Sequence, residues 1–243
     1  MKLFPLISLV AISFAAFSHI SSAEEKVESD TLIVAELFTS QGCSSCPPAE
    51  KLFSKLADQD NVLTLEWHVD YWDDLVHGGS RWKDVYSSDA FTNRQRAYNQ
   101  TLRGVRNVYT PQAIVNGRLE GVGSRPHEVS NMMKHASELK IPVQIDTNTV
   151  SVGKSNKAAD ILFIRLLKEH QTDVKGGENK GRKLAGKNIV LAAEVLGQTG
   201  TEVADFTLPS IGEGESCAVL VQAADAANVG PILGAAKLSL IHI

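Results

Sequence analysis

Cys43 and Cys46 stand two residues apart in Gly-Cys-Ser-Ser-Cys-Pro-Pro, between an apolar run and a segment with helical periodicity. A thiol at the first turn of a helix meets unpaired amide N–H groups and the positive end of the helix dipole. Both favour thiolate over thiol, below the usual value of about 8.5. The chemistry to expect is thiol–disulfide exchange, with Cys43 attacking from the loop and the more buried Cys46 resolving the mixed disulfide. Two other uses of the pair stay open, a permanent disulfide staple and a metal clip. Zinc needs about four ligands, and no second CxxC or HxxxH supplies them, so Cys43, Cys46 and His68 make an incomplete site; no metal or other cofactor is expected.

The elements that position these thiols can be read around them. Thr31 to Phe38 is apolar apart from Glu36, as befits a central strand covered on both faces. Pro47 and Pro48 suit the first helical turn, where a missing N–H costs nothing, and Leu52, Phe53 and Leu56 follow at helical spacing. Asn61 to Asp70 forms a second strand, completing a right-handed crossover. His68 and Asp70 end that strand on one face, where α/β sheets place their sites, and either one is a candidate proton acceptor. The bland reading makes Asp70 a loop cap and His68 a satisfied, half-buried residue. Trp67, Tyr71 and Trp72 are candidates for an apolar substrate rim, or for core.

Residues 71–87 lack periodicity and read as an insertion. Ser87 or Ser88 caps a helix running to about Arg103, stopped by Gly104. Strands over 112–116 and 118–122 flank the hairpin turn Asn116-Gly117. A last helix follows Ser124 and Pro126, carrying Val129, Met132, Met133, Ala136 and Leu139. From Ile141 onward short β-branched runs at 142–146, 149–152, 161–167, 188–196, 217–223 and 232–241 alternate with turn residues. They read as an antiparallel, sandwich-like β domain at 141–243, with its boundary near Lys140. The glycine-rich run at 176–182 lacks the context of a phosphate loop and reads as a mobile hairpin tip.

The strings Glu-Leu-Phe-Thr-Ser-Gln-Gly-Cys-Ser-Ser-Cys-Pro-Pro-Ala (36–49), His-Val-Asp-Tyr-Trp-Asp (68–73), Phe-Thr-Asn-Arg-Gln-Arg-Ala-Tyr (91–98), Val-Tyr-Thr-Pro-Gln (108–112) and Gly-Glu-Asn-Lys-Gly-Arg (177–182) carry a resemblance. The first half resembles the thioredoxin superfamily. The whole resembles a family of exported thioredoxin-like proteins known as a domain of unknown function, DUF1223. The resemblance implies a thioredoxin-like α/β domain at 24–140 and a cis bond between Thr110 and Pro111, facing the CxxC. It implies thiol–disulfide oxidoreductase activity by superfamily analogy; the alternative is a non-catalytic binding or assembly module. Ser44-Ser45 between the cysteines and Gly42 before them depart from the superfamily's better-known members, leaving oxidant, reductant and isomerase open.

Residues 1–23 hold a basic start, an apolar stretch and Ser-Ser-Ala before charged residues, the pattern of a cleaved signal peptide. Export to a periplasmic or extracellular space puts the pair where disulfides persist and offers the thiols or disulfides of other exported proteins as partners. No stable membrane span is expected after cleavage. Three cysteines in 243 residues exclude a disulfide-stapled scaffold, so apolar packing must build the core; lone Cys217 reads as a buried thiol. A formal charge of −4, with no basic stripe, argues against nucleic acid.

Overall fold

A computed structural model of the chain describes residues 32–225 and 228–238. The signal-peptide reading of residues 1–23 lies outside the described residues. The fold is mixed α/β, built on a sheet of eight strands and a smaller one of three.

The centre of the large sheet is formed by β1 (Ile33–Thr39) and β2 (Val62–His68), paired in parallel from Ile33↔Val62 to Thr39↔His68. Between them runs α1 (Pro47–Leu56), with prolines at its first positions as expected. Beyond β1 the hairpin β3 (Gln112–Val115) and β4 (Leu119–Val122) closes the edge in antiparallel fashion. Its turn puts Asn116 and Gly117 at positive φ of 48° and 64°. The longest helix, α2 (Asp89–Arg103), begins at Ser88, whose side chain accepts from the Ala90 N–H, and ends at left-handed Gly104. The last helix, α3 (Pro126–Lys134), stops short of Ala136 and Leu139.

Strand alternation sorts the core into two layers. Ala35 and Leu37 face α1 and α3, packing with Phe53, Leu56, Val129 and Met132. Val34, Phe38, Leu63, Leu65 and Trp67 face α2, packing with Phe91 and Tyr98. Glu36, on the α2 face, is fully buried; Arg94 meets it at 2.8 Å and the Tyr98 hydroxyl donates to it at 2.5 Å. Arg94 also lies 4.7 Å over the Trp67 ring. Arg94 therefore ties α2 to the central strand.

The second half joins the same sheet. Two long strands, β7 (Asp160–Asp173) and β8 (Lys183–Gln198), form a ribbon; β8 lies parallel to β2 through Glu66↔Ile189. β10 (Glu215–Asp225) pairs with β7, and β11 (Asn228–Lys237) with β10. The order is β11-β10-β7-β8-β2-β1-β3-β4, so the sheet runs unbroken across position 140. Ile164, Leu166, Val190, Ala218 and Leu220 belong to the same core as Val34 and Phe38.

The expected sandwich forms only in part. β5 (Val143–Asp146), β6 (Thr149–Val152) and β9 (Ala204–Thr207) make the three-stranded sheet. Val150 and Val152 from it share a core with Ile161, Phe163, Val219 and Val221 on the opposite side from α2. The antiparallel strands thus form a two-layer extension of the α/β sheet. Cys217 is buried there as a free thiol, and burial pushes it up to about 11. No helix among the described residues is long and apolar enough to cross a membrane.

Candidate functional site

Cys43 and Cys46 form a disulfide, with Cα atoms 5.5 Å apart, at the junction of β1 and α1. Cys46 is the N-cap residue of α1, and its carbonyl accepts from the Ala49 and Glu50 N–H groups. Both cysteines are 0% exposed. Cys43 does lie in the turn and Cys46 at the helix start, but the expected difference in burial between them is absent.

Two later segments hold the turn. Residues 174–182, read from the sequence as a mobile hairpin tip, instead fold back as a strap from the end of the β7–β8 ribbon. Buried Asn179 donates from Nδ2 to the carbonyls of Gln41 (2.9 Å) and Cys43 (2.8 Å), while its Oδ1 accepts from Arg182. Glu178 accepts from the Ser44 N–H at 2.9 Å, and the Ser44 hydroxyl, followed by that amide, lowers its carboxyl below the ordinary range. The strap needs glycine to come this close. A Cβ on Gly176 would lie 1.9 Å from the Arg81 carbonyl oxygen, and Gly177 adopts φ +66° against Trp82 and Gly42. From the insertion, Asp84 accepts from the Gln41 N–H at 2.7 Å, and the Trp82 indole donates to Gln41 Oε1.

The Thr110–Pro111 bond is cis. Thr110 is tied to the turn from two sides: its carbonyl accepts from Ser45 Oγ at 3.5 Å, and its hydroxyl accepts from Trp72 Nε1 at 2.8 Å. Ser45 Oγ also lies 3.3 Å from Cys43 Sγ. Trp72 borders Gly42 in a pocket of about 200 Å³ lined by Leu75, Val76, His77, Gly177 and Glu178. Leu75 and Val76 are half or more exposed and give the pocket an open apolar edge, while His77 and Glu178 make its other side polar.

Of the residues singled out from the sequence, the structure gathers Cys43, Cys46, Thr110, Pro111 and Trp72. Trp67 is not a rim residue; it is fully buried on the α2 face, stacked on Phe38. Tyr71 is largely buried against the same core, and burial pushes its hydroxyl up to about 12. Asp70 is held by Thr92 at the start of α2 (2.5 Å), away from His68. Strand alternation fails for that pair because β2 ends at His68.

His68 is buried beneath the turn on the α1 face, with Nδ1 2.7 Å from Asp84 Oδ2. Burial pulls His68 down, but the charge and hydrogen bond of Asp84, with Glu50 and Asp73 behind them, raise it overall. Asp84 is lowered overall, since His68 and the Gln41 and Tyr86 amides outweigh its own burial. One turn into α1, buried Glu50 accepts from Thr39 Oγ1 at 2.7 Å; burial raises its carboxyl against the lowering effects of His68 and Thr39. Asp84 and Asn179 escaped the sequence reading because each reaches the turn from a distant or irregular segment; Glu50, in the first turn of α1, escaped it because a glutamate there reads as a solvent-facing helix residue. The double glycine at 176–177 was the one local signal that backbone passes close to something.

Fold and site define a mixed α/β protein with a buried CxxC disulfide at a strand–helix junction, opposite a cis-proline. The chain belongs to the family described as protein of unknown function DUF1223, whose model matches residues 34–222. A crystal structure of a protein from Agrobacterium tumefaciens is similar at 32% identity and TM-score 0.74, covering 87% of this chain and 95% of that one. HBP35 of Porphyromonas gingivalis shares the fold at 16% identity and TM-score 0.50, over 87% of this chain and 76% of its own. No curated protein matches.

Proposed function

We propose that this chain is an exported thiol–disulfide oxidoreductase of thioredoxin-like fold. The observation that carries the reading is the CxxC at the N-terminus of α1, tied through Ser45 to Thr110 beside cis-Pro111. In the reducing direction the Cys43 thiolate attacks a substrate disulfide, forming a mixed disulfide and releasing one substrate thiolate. Cys46 then attacks Cys43 Sγ, closing the internal disulfide and releasing the second thiolate; two electrons pass to the substrate. The oxidising direction is the reverse. Glu50, one turn from Cys46 with its carboxyl raised by burial, is the group suited to take the Cys46 proton. An extended substrate segment lies along the backbone beside Pro111, with an apolar side chain against Trp72, Leu75 and Val76. The substrates are thiols or disulfides of other exported proteins, met in the periplasm or outside the cell.

Complete burial of both sulfurs supports a second reading, a structural disulfide in a binding module. The reduction potential of the pair separates the two. Titration against thiol buffers, read by alkylation mass shift, gives about −120 to −270 mV for a working oxidoreductase; a value below about −300 mV makes the pair a staple.

A further inference from the structure

Away from the sulfurs, the α1 face of β2 carries a second cluster. Glu66 and His68 are two residues apart on that face, both buried, and His170 reaches them from β7, across the ribbon from Gly186. One potential donor atom from each of the three lies within 4.8 Å of the others. Both Glu66 carboxylate oxygens and His68 Nε2 are buried without a hydrogen-bond partner. Orphaned acceptors of this kind are costly, at about 1–3 kcal/mol for a neutral group and more for a charge. The space where they meet is kept open by glycine: a Cβ on Gly186 would sit 2.5 Å from Glu66 Oε2 and 2.9 Å from His170 Nε2.

We propose that Glu66, His68 and His170 bind a divalent transition-metal ion of the zinc class through one carboxylate oxygen and two imidazole Nε2 atoms, leaving a fourth position for water or a ligand group. One carboxylate and two imidazoles are a donor set suited to zinc. The surroundings match what such ligands require. Asp84 holds His68 Nδ1 at 2.7 Å and the Thr172 hydroxyl lies 3.3 Å from His170 Nδ1, so both rings are oriented with Nε2 inward. Tyr86 packs edge-on against both imidazoles, 5.5 and 5.0 Å between ring centres, and walls off one side. Tetrahedral zinc with bonds of about 2.0–2.2 Å sets its donors about 3.4 Å apart, so half-buried His170 must move inward by about an ångström.

Two ionisation states favour the site and one opposes it: Asp84 raises His68, so a metal ion must displace the proton from its Nε2. Burial, with the charge of His68, pulls His170 down to about 4, leaving it a neutral imidazole at pH 7. Burial and then the charge of Glu50 push Glu66 well above the ordinary carboxylate range. A bound cation removes that penalty and leaves Glu66 ionised. The site uses no thiol and is independent of the redox proposal.

The test is metal titration of the purified, oxidised protein after chelator treatment, with Zn²⁺ read by competition and Co²⁺ by its visible absorption. One equivalent per chain and a four-coordinate Co²⁺ spectrum are expected. His170→Ala and Glu66→Gln should each weaken binding by about 100-fold or more, and Asp84→Asn by about 10- to 100-fold. A Cys43→Ser/Cys46→Ser double variant should bind as the parent does, and circular dichroism of each metal-free variant verifies its fold. Absence of stoichiometric binding overturns the proposal. So does binding that survives His170→Ala in a folded protein, or that is lost with the cysteines.

Discussion

Replacing Asn179 by alanine tests whether the strap controls access to the disulfide. Its amide spans the Gln41 and Cys43 carbonyls from a fully buried position, so truncation removes both of these hydrogen bonds from strap to turn, besides the Arg182 bond within the strap. At about 0.5–1.5 kcal/mol each, the strap loses about 1–3 kcal/mol of closure free energy. With tenfold per 1.4 kcal/mol, the open population rises about 5- to 150-fold. If opening is fast relative to reaction, reduction by a small phosphine accelerates by the same factor. The assay is the pseudo-first-order appearance of two alkylatable thiols. It is repeated at several urea concentrations well below the unfolding midpoint, because a rate flat in urea reports local opening and a steep one reports global unfolding. A reduction rate within twofold of the parent, in a variant that still folds, refutes the strap as the cover and places the route to Cys43 on the Thr110–Pro111 side.

Three further outcomes follow from the geometry. Cys46→Ser, reduced and freed of reductant, should accumulate mixed disulfides on Cys43 in an extract of exported proteins whose disulfides are intact, whereas Cys43→Ser should trap none; blank lanes for Cys46→Ser remove the main support for catalysis. Arg94→Ala leaves Glu36 buried beneath Tyr98 without its counter-charge, and should cost about 3–5 kcal/mol in urea unfolding; a loss under 1 kcal/mol refutes the pair as the tie between α2 and β1. The His68–Asp84 pair has opposite signs at its two ends. Asp84 is lowered from 3.8, so its contribution is present above that value and fades as pH falls through its folded one. His68 is raised from 6.5, so its contribution is full below that value and fades as pH rises through its folded one. The stability gap between the metal-free parent and Asp84→Asn should therefore be widest between those ordinary values and narrow on both sides; a pH-independent gap refutes the pairing.

What could be read from the residues was local. Helical spacing in α1 and the caps Ser88 and Gly104 announced their elements because each signal lies within a few residues of what it governs. The Asn116-Gly117 turn did so for the same reason. The join between β8 and β2 had no such signal: their parallel pairing rests on Glu66↔Ile189, more than a hundred residues apart. β9 was missed because four residues reading Ala-Asp-Phe-Thr, with only alternate side chains inward, offer too short a period to recognise. At the site, Cys43, Cys46 and Pro111 stood out by residue type. Asn179 and Asp84 did not, since a polar residue in a loop looks the same whether it faces water or a buried carbonyl. His170 likewise sits in a strand segment whose alternation reads as solvent-facing, and only the ribbon's course brings it to Glu66.

The order in which the ribosome delivers these parts sets a time window. Ser44 and the Glu178 that receives its amide are separated by 134 residues. At about 5–20 residues per second, roughly 7 to 27 seconds of synthesis pass between them. Through that interval the nascent chain holds Cys43 and Cys46 with no strap to close over them. An oxidant that acts within that interval meets both sulfurs before the strap exists, whereas one that acts later meets them with Asn179 and Glu178 already in place.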